Sequence, residues 1–444
     1  MLNNLFDYEK RQKDAFSKMD SASILIVDNN PVYNRTGDQD FGYRPNSYMV
    51  YLVGFEEPNS HLVLTKNKDG DCSSILFVQP RDPEKETWTG RIHGPENTKR
   101  LFKVSEAFDI TEFPEWLTKN NENFTKLYYE FGNNTPLDST ILDLFKRGVR
   151  SKKPTGTGIT VIENARTLLA PLRLIKDEKE IEIMQKACDI SSEAHIKAME
   201  FIKPSTKEFE IENVVNSHFR GSGANGPGYS SICATGDNAT ILHYISNNAE
   251  CKDGELFLLD AACEYAYYSS DITRTFPVSG KFTELQKKIY NIVLKAETEA
   301  IKSCTVGNTY KKVHELVLEI LTKGLIELGI LEGELSKLLE DKAFMPYYMH
   351  GTGHWLGIDT HDVGGRFYLN ENNEFTEKTF VPGMITTIEP GLYFSSTLEN
   401  IPEDFKGIGV RIEDDILITA DGPVVLSNKV PKEIDEIEQL MAMN

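Results

Sequence analysis

Asp260 and Asp271, in GELFLLDAACEYAYYSSDITRTF, constrain this chain more than any other feature. The segment reads as two β-strands folded back on each other, and a two-residue turn at Tyr265-Ala266 would set the two acids directly opposite. Opposed residues share one face of a hairpin, with Cβ atoms roughly 5 Å apart. Carboxylates that close repel by about 3 kcal/mol at an effective dielectric of about 20. A bound cation is the obvious compensation. Tyr-Ala is poor turn chemistry, and the bland alternative is a pair of solvated acids on an edge hairpin.

At 444 residues the chain has room for two or three domains. Its formal net charge of −20 argues against a nucleic-acid partner. No run of apolar residues is long enough to span a membrane. MLNNLFDYEKRQKDAF has no apolar core of a secretory signal. The six cysteines, Cys72, Cys188, Cys233, Cys251, Cys263 and Cys304, are scattered without a CxxC. They read as reduced thiols of a cytoplasmic protein.

Fold class reads as α+β. SILIVDNNP, YMVYLVGF, HLVLTK, SSILFVQP and KLYYEFG read as strands, and VSEAFDITEFPEWLTKN contains a helix, which makes an α/β domain over residues 1–174. RGVRSKKPTGTGIT followed by APLRLIKDEKE reads as a linker. Residues 175–444 form the second domain. Apolar residues of helical period recur from Ile181 to Ala198, and similar helices are expected at about 206–220, 283–304 and 309–329. A weak internal repeat emerges: two helices precede the acidic hairpin, and two more precede a second acidic strand pair. GELFLLD and GMITTIE share one glycine-to-acid spacing, ending at Asp260 and Glu389. The partner of Glu389 is Glu413, in GIGVRIEDDILIT. A pseudo-two-fold of such halves brings four carboxylates together at its axis, unless the succession of elements is coincidence.

His350 and His354 lie in MHGTGHWLGIDTHDVGG, with His361 close behind, and His243 in ILHYISN is a further candidate. The glycines argue against a helical zinc motif and for an extended segment that carries imidazoles into a cleft. His61, His93, His195, His218 and His314 read as hydrogen-bonded structural residues. Four carboxylates with one imidazole make an oxygen-rich site suited to divalent ions, Mn²⁺ especially, and four anions suit two ions better than one. Such a pair polarises a carbonyl and activates water, which is hydrolytic machinery.

LLDAACEYAYYSSDITRTFPVSGKF, MHGTGHWLGIDTHDVG, TTIEPGLYF and GIGVRIEDDI together resemble the pita-bread metallopeptidases of family M24. RPNSYMVYLVGFEEPNSHLVL and VQPRDPEKETWTG extend the resemblance to the N-terminal domain of its aminopeptidase P branch. The resemblance implies hydrolysis of the N-terminal Xaa-Pro bond of peptides in a pita-bread domain carrying two divalent metals. It implies that Asp260, Asp271, His354, Glu389 and Glu413 are the ligands, with Asp271 and Glu413 bridging. Glu389 would take the proton of the attacking water, and His361 and His350 would hydrogen-bond the substrate. His243 and Arg411 match substrate-contact positions. The first domain would mediate assembly into dimers or tetramers, with Trp88, flanked by Thr87 and Thr89, on a protruding loop that reaches a neighbouring subunit's cleft. The competing activities on the same fold are a prolidase, which cleaves Xaa-Pro dipeptides, and a non-catalytic binding protein. The intact ligand set weighs against the latter, and the large first domain weighs against a methionine aminopeptidase.

Overall fold

The computed structural model describes residues 2–150 and 158–442. The chain divides into two compact units, Met1–Arg173 and Leu174–Asn444.

The first unit is built on a six-stranded mixed sheet. Ser23–Asp28 lies inside it, antiparallel to His61–Lys66 and parallel to Lys126–Tyr128. Ile24, Ile26, Val63, Ile75 and Phe77 pack with Phe113 and Leu117 of the helix Phe113–Asn120. The expected strand YMVYLVGF is instead the helix Ser47–Val53. Its apolar run carries no period that separates a buried helix from a buried strand. The ends decide: the Asn46 side chain accepts from the Tyr48 N–H, and Gly54 closes the helix at φ 65°. The linker reading is corrected in part. Arg147–Arg150 end the helix Thr135–Arg150, and Ala165–Leu174 is a helix with Pro171 inside it. Residues 151–157 of that stretch lie outside the described residues. Trp88 protrudes, but from the last turn of the helix Pro83–Thr89 and not from a loop; Asp82 and Pro83 start that helix.

The second unit holds two copies of one plan. Helices Glu178–Phe201 and Glu208–Gly221 precede the first acidic hairpin, and Glu284–Ser303 and Tyr310–Glu327 precede the second. Asp177 and Thr283 start the first helix of each pair with reciprocal capping boxes. In the first hairpin Leu256–Asp260 pairs with Thr273–Pro277, Asp260 opposite Thr273. Pairing then lapses and resumes in the same register between Cys263–Tyr265 and Tyr268–Ser269. The expected register, with Asp260 opposite Asp271, is therefore corrected by two residues. The turn falls one residue later, at Ala266-Tyr267, whose φ angles of 49° and 68° are those of a type I′ turn. A two-residue offset leaves every side chain on its original face, so the inference that both acids face one way survives.

The second hairpin lapses in the same manner. Ile385–Ile388 pairs with Asp414–Thr419, and Gly391–Phe394 pairs with Ile408–Arg411 in a separate sheet. Glu389 and Glu413 lie in the gap, Asp271 lies in the gap of the first hairpin, and Asp260 stands at its edge. All four acids thus sit where a ladder divides between two sheets. The halves meet there through the bridge between Thr273 and Glu413.

Candidate metal centre

Asp271, His354 and Glu413 each offer a ligand atom, and these atoms all lie within 4.8 Å of one another. Asp260 and Glu389 flank that cluster. Glu389 Oε1 is 3.8 Å from His354 Nε2, which is 3.4 Å from Asp271 Oδ2. Asp260 is held by two donors, the Tyr229 hydroxyl at 2.6 Å and Arg411 Nη2 at 2.7 Å.

His354 reaches the cluster because GTGH lies flat against the strand Ile385–Ile388. The Thr387 N–H donates to the His354 carbonyl, and Trp355 bridges to Thr386. A Cβ at Gly353 would stand 2.0 Å from the Thr387 carbonyl oxygen, so only glycine permits that approach. His354 Nδ1 donates to the Trp355 carbonyl at 3.0 Å, which turns Nε2 toward the acids. That is the arrangement of a metal-ligating imidazole.

The remaining candidates surround the cluster. The His361 ring packs on that of His354, with centroids 4.2 Å apart. A buried ion pair next door, Lys176 Nζ to Asp362 Oδ2 at 3.0 Å, pins its segment. His350 Nδ1 lies 3.8 Å from Glu389 Oε2. Arg411 donates to Tyr393 Oη at 3.1 Å, and that oxygen lies 2.8 Å from His350 Nε2. His350 Nδ1 in turn bonds the Gly351 carbonyl. The network assigns His350 a neutral Nδ1–H tautomer that accepts from Tyr393. His243 is exposed, on a segment tied down by Glu208, which accepts from Tyr244, Ala249, Thr235 and Asn238. Trp88 belongs to the first unit and is 87% exposed. The histidines read as structural have nearby partners: Ala261 O for His195, Glu193 for His218, Thr352 for His314, Asp28 for His61 and Glu57 for His93.

Tyr229, Thr273, Tyr393 and Glu208 were not picked out from the sequence. Thr273 donates to Glu413 Oε2 at 2.7 Å and accepts from Arg411 Nε. Its one local signal was its place two residues beyond Asp271 in SDITRTF; the others bond partners far along the chain.

The electrostatics are those of a site short of positive charge. Burial pushes Glu413 well above the usual carboxylate range, and Asp271, Glu389 and Asp260 push it further. Burial also raises Asp260, against the pull of Arg411. Glu389 rises to about 7, chiefly from burial. Burial disfavours a charged His354, but its bond to Asp271 and the charge of Glu389 outweigh that and raise it to about 9. Burial and then Arg411 drive His350 down to about 3, and burial followed by the charge on His354 lowers His361. Acids that keep protons for want of a counter-charge, beside an imidazole with a fixed tautomer, fit a divalent-metal site.

Comparison with known proteins agrees with this reading. Metallopeptidase family M24 matches residues 182–420, and the aminopeptidase P N-terminal domain matches residues 8–128. The chain belongs to metallopeptidase family M24, whose members use divalent metal. Within that family it falls among the proteins that also carry the aminopeptidase P N-terminal domain. The Xaa-Pro aminopeptidase of Haemophilus influenzae is 41% identical over 435 residues, covering 98% of this chain and 97% of that protein. The Xaa-Pro aminopeptidase of Escherichia coli is 36% identical, with the same coverage. Among solved structures, proline aminopeptidase P II from Yersinia pestis superposes with a TM-score of 0.92 at 37% identity, covering 99% of each chain. E. coli aminopeptidase P with the inhibitor Pro-Leu gives a TM-score of 0.92 at 35% identity, covering 98% of each chain.

Proposed function

We propose that this enzyme hydrolyses the N-terminal Xaa-Pro bond of peptides, with two divalent ions, Mn²⁺ foremost, held by Asp260, Asp271, His354, Glu389 and Glu413. The convergence of Asp271, His354 and Glu413 within 4.8 Å carries the reading. Bound there, the ions supply Lewis acidity toward the scissile carbonyl and lower the pKa of water. The rest falls to the chain's own groups. Glu389, beside His354 and His350, is placed to take up a proton and return it to the departing proline nitrogen. That transfer matters because the Xaa-Pro bond is a tertiary amide without an N–H. His361 borders the cluster as a hydrogen-bond partner for the substrate carbonyl. His350, with Nδ1 bonded to the Gly351 carbonyl and Nε2 to Tyr393, acts on the substrate through Tyr393, which Arg411 orients while it holds Asp260. His243 adds a substrate contact at the rim.

We assign catalysis to residues 175–444, and substrate walling and assembly to residues 1–174. The exposure of Trp88 supports a role for it in a neighbouring subunit's cleft, in a homodimer or homotetramer. All six cysteines are free thiols, five of them buried, which supports a cytoplasmic protein. No described helix is long and apolar enough to cross a membrane.

The test is turnover of Xaa-Pro-Yaa peptides against Xaa-Pro dipeptides with Mn²⁺ present. Cleavage of the longer peptides, abolished by chelation and restored by Mn²⁺, is expected. Cleavage of dipeptides alone makes the enzyme a prolidase, and full activity without metal ends the proposal. Light scattering showing a fully active monomer would refute the shared cleft while leaving the metal chemistry intact.

A further inference from the structure

Glu413, Asp414 and Asp415 are three consecutive buried acids with three different surroundings. Side chains alternate along a strand, so Glu413 and Asp415 share a face and Asp414 points the other way. Asp414 meets Arg274 and Lys432, each at 2.7 Å. Asp415 meets no cation among the described residues. Its Oδ2 accepts the backbone N–H of Asp271 at 3.0 Å and the thiol of Cys188 at 3.1 Å. Its Oδ1 is buried and has no hydrogen-bond partner.

The bond to Asp271 answers a need of the local fold. Asp271 lies in the pairing gap of the first hairpin, where no strand partner is paired with it, and a buried N–H must be satisfied. Stability alone favours a small neutral acceptor at that point, because an orphaned buried oxygen costs about 1–3 kcal/mol. The carboxyl of Asp415 instead spans the interface of the half-repeats. It ties the main chain of Asp271, from the first hairpin, to a residue two places from Glu413 in the second. The thiol of the helix Glu178–Phe201 supplies the third point.

The geometry points to Asp415, steadied by Cys188, as a positioning residue that fixes Asp271 against Glu413 and so sets the spacing of the metal centre. This rests on the metal-centre reading given above. The test titrates Co²⁺ into chelated full-length protein, followed by calorimetry and by the visible ligand-field spectrum. Asp415→Ala and Cys188→Ala should each weaken Co²⁺ binding by about 10- to 100-fold and shift the spectrum, the scale usual for groups that orient metal ligands. Asp415→Asn keeps an acceptor for the Asp271 N–H and should bind nearly as the parent does. The metal-free unfolding midpoint should fall modestly in both alanine variants, so the spectrum is the readout that separates positioning from packing. Cys188→Ser keeps a donor and should restore binding. Parental affinity and spectrum in either weakened variant overturn the proposal, as does a lowered unfolding midpoint with an unchanged spectrum, the mark of a purely structural role. If Asp415→Ala fails to fold, the Cys188 pair decides. A parent protein that binds no Co²⁺ would instead defeat the metal-centre reading itself.

Discussion

Asp271 and His361 separate two duties within a few ångströms. Asp271 contributes an anionic oxygen to the cluster, and an amide in its place offers a neutral, weaker donor. Asp271→Asn should therefore lose bound metal, as read by metal analysis after dialysis. His361 packs at a tilt against the His354 ring and is not part of the cluster of Asp271, His354 and Glu413. His361→Ala should keep near-normal metal content and lose roughly 10²-fold in turnover, the scale for removing a proton-transfer or oxyanion group. A collapse in metal content would make it a ligand. Residues of this kind were legible in the sequence because acids and histidines advertise themselves. Tyr229 and Tyr393 were not, because a tyrosine in a buried strand or loop looks like core until its hydroxyl is seen 2.6 Å from Asp260 or 2.8 Å from His350.

Two backbone devices carry the elements to the site. The first is the close approach of Gly353 to the strand behind it. Gly353→Ala drives a methyl into the Thr387 carbonyl and should destabilise by about 1–3 kcal/mol, the cost of overpacking. Because that strain falls beside His354, metal affinity should drop with it; denaturant melts and metal titration together check this. The second is the turn at Ala266-Tyr267. A left-handed alanine costs about 1–2 kcal/mol, part of which glycine gives back as unfolded-state entropy. Ala266→Gly should therefore stabilise the protein by about 0.5–1 kcal/mol in a urea melt without altering metal binding. The sequence located this hairpin but misplaced its turn by one residue, because neither Tyr-Ala nor Ala-Tyr carries the usual turn chemistry. Tertiary pairing imposed the left-handed conformation on ordinary residues. YMVYLVGF failed as a strand for a related reason: its caps, not its apolar run, decided for helix.

Across the whole molecule, charge governs how stability responds to pH. In the metal-free protein Glu389 is raised to about 7 and His354 to about 9. Both hold protons that the unfolded chain has released, so their contribution is full at low pH and is lost as pH rises, through about 7 for Glu389 and about 9 for His354. His195 and His350, each lowered to about 3, act oppositely: their contribution is present above the unfolded histidine pKa of about 6.5 and is lost as pH falls toward 3. The metal-free melting temperature should thus decline from pH 6.5 to 9. Divalent ions replace the missing counter-charge, so the rise in melting temperature on adding Mn²⁺ should be larger at pH 8 than at pH 6. At a hundredfold excess over Kd the gain is about 2.7 kcal/mol, or roughly 5–10 °C for a domain of this size. Scanning calorimetry with and without chelator checks both. A metal-induced rise that shrinks with pH would contradict the assignment of these groups to the site.

The acids of the two hairpins, the imidazoles of the glycine-rich segment and the doubling of helix, helix and strand pair were written in local pattern, since alternation and helical period are short-range consequences of backbone geometry. What required the folded molecule was everything that depends on distance between halves. The lapse in each ladder, which frees Asp271, Glu389 and Glu413 to converge, appears only when the strands divide between two sheets. The orientation of His354 depends on a carbonyl and a strand edge, and the grip of Asp415 on Asp271 joins residues 144 positions apart. Sequence spacing determines which faces of an element carry chemistry. Packing alone determines which faces meet, because burial and hydrogen-bond satisfaction are settled between elements and not within them.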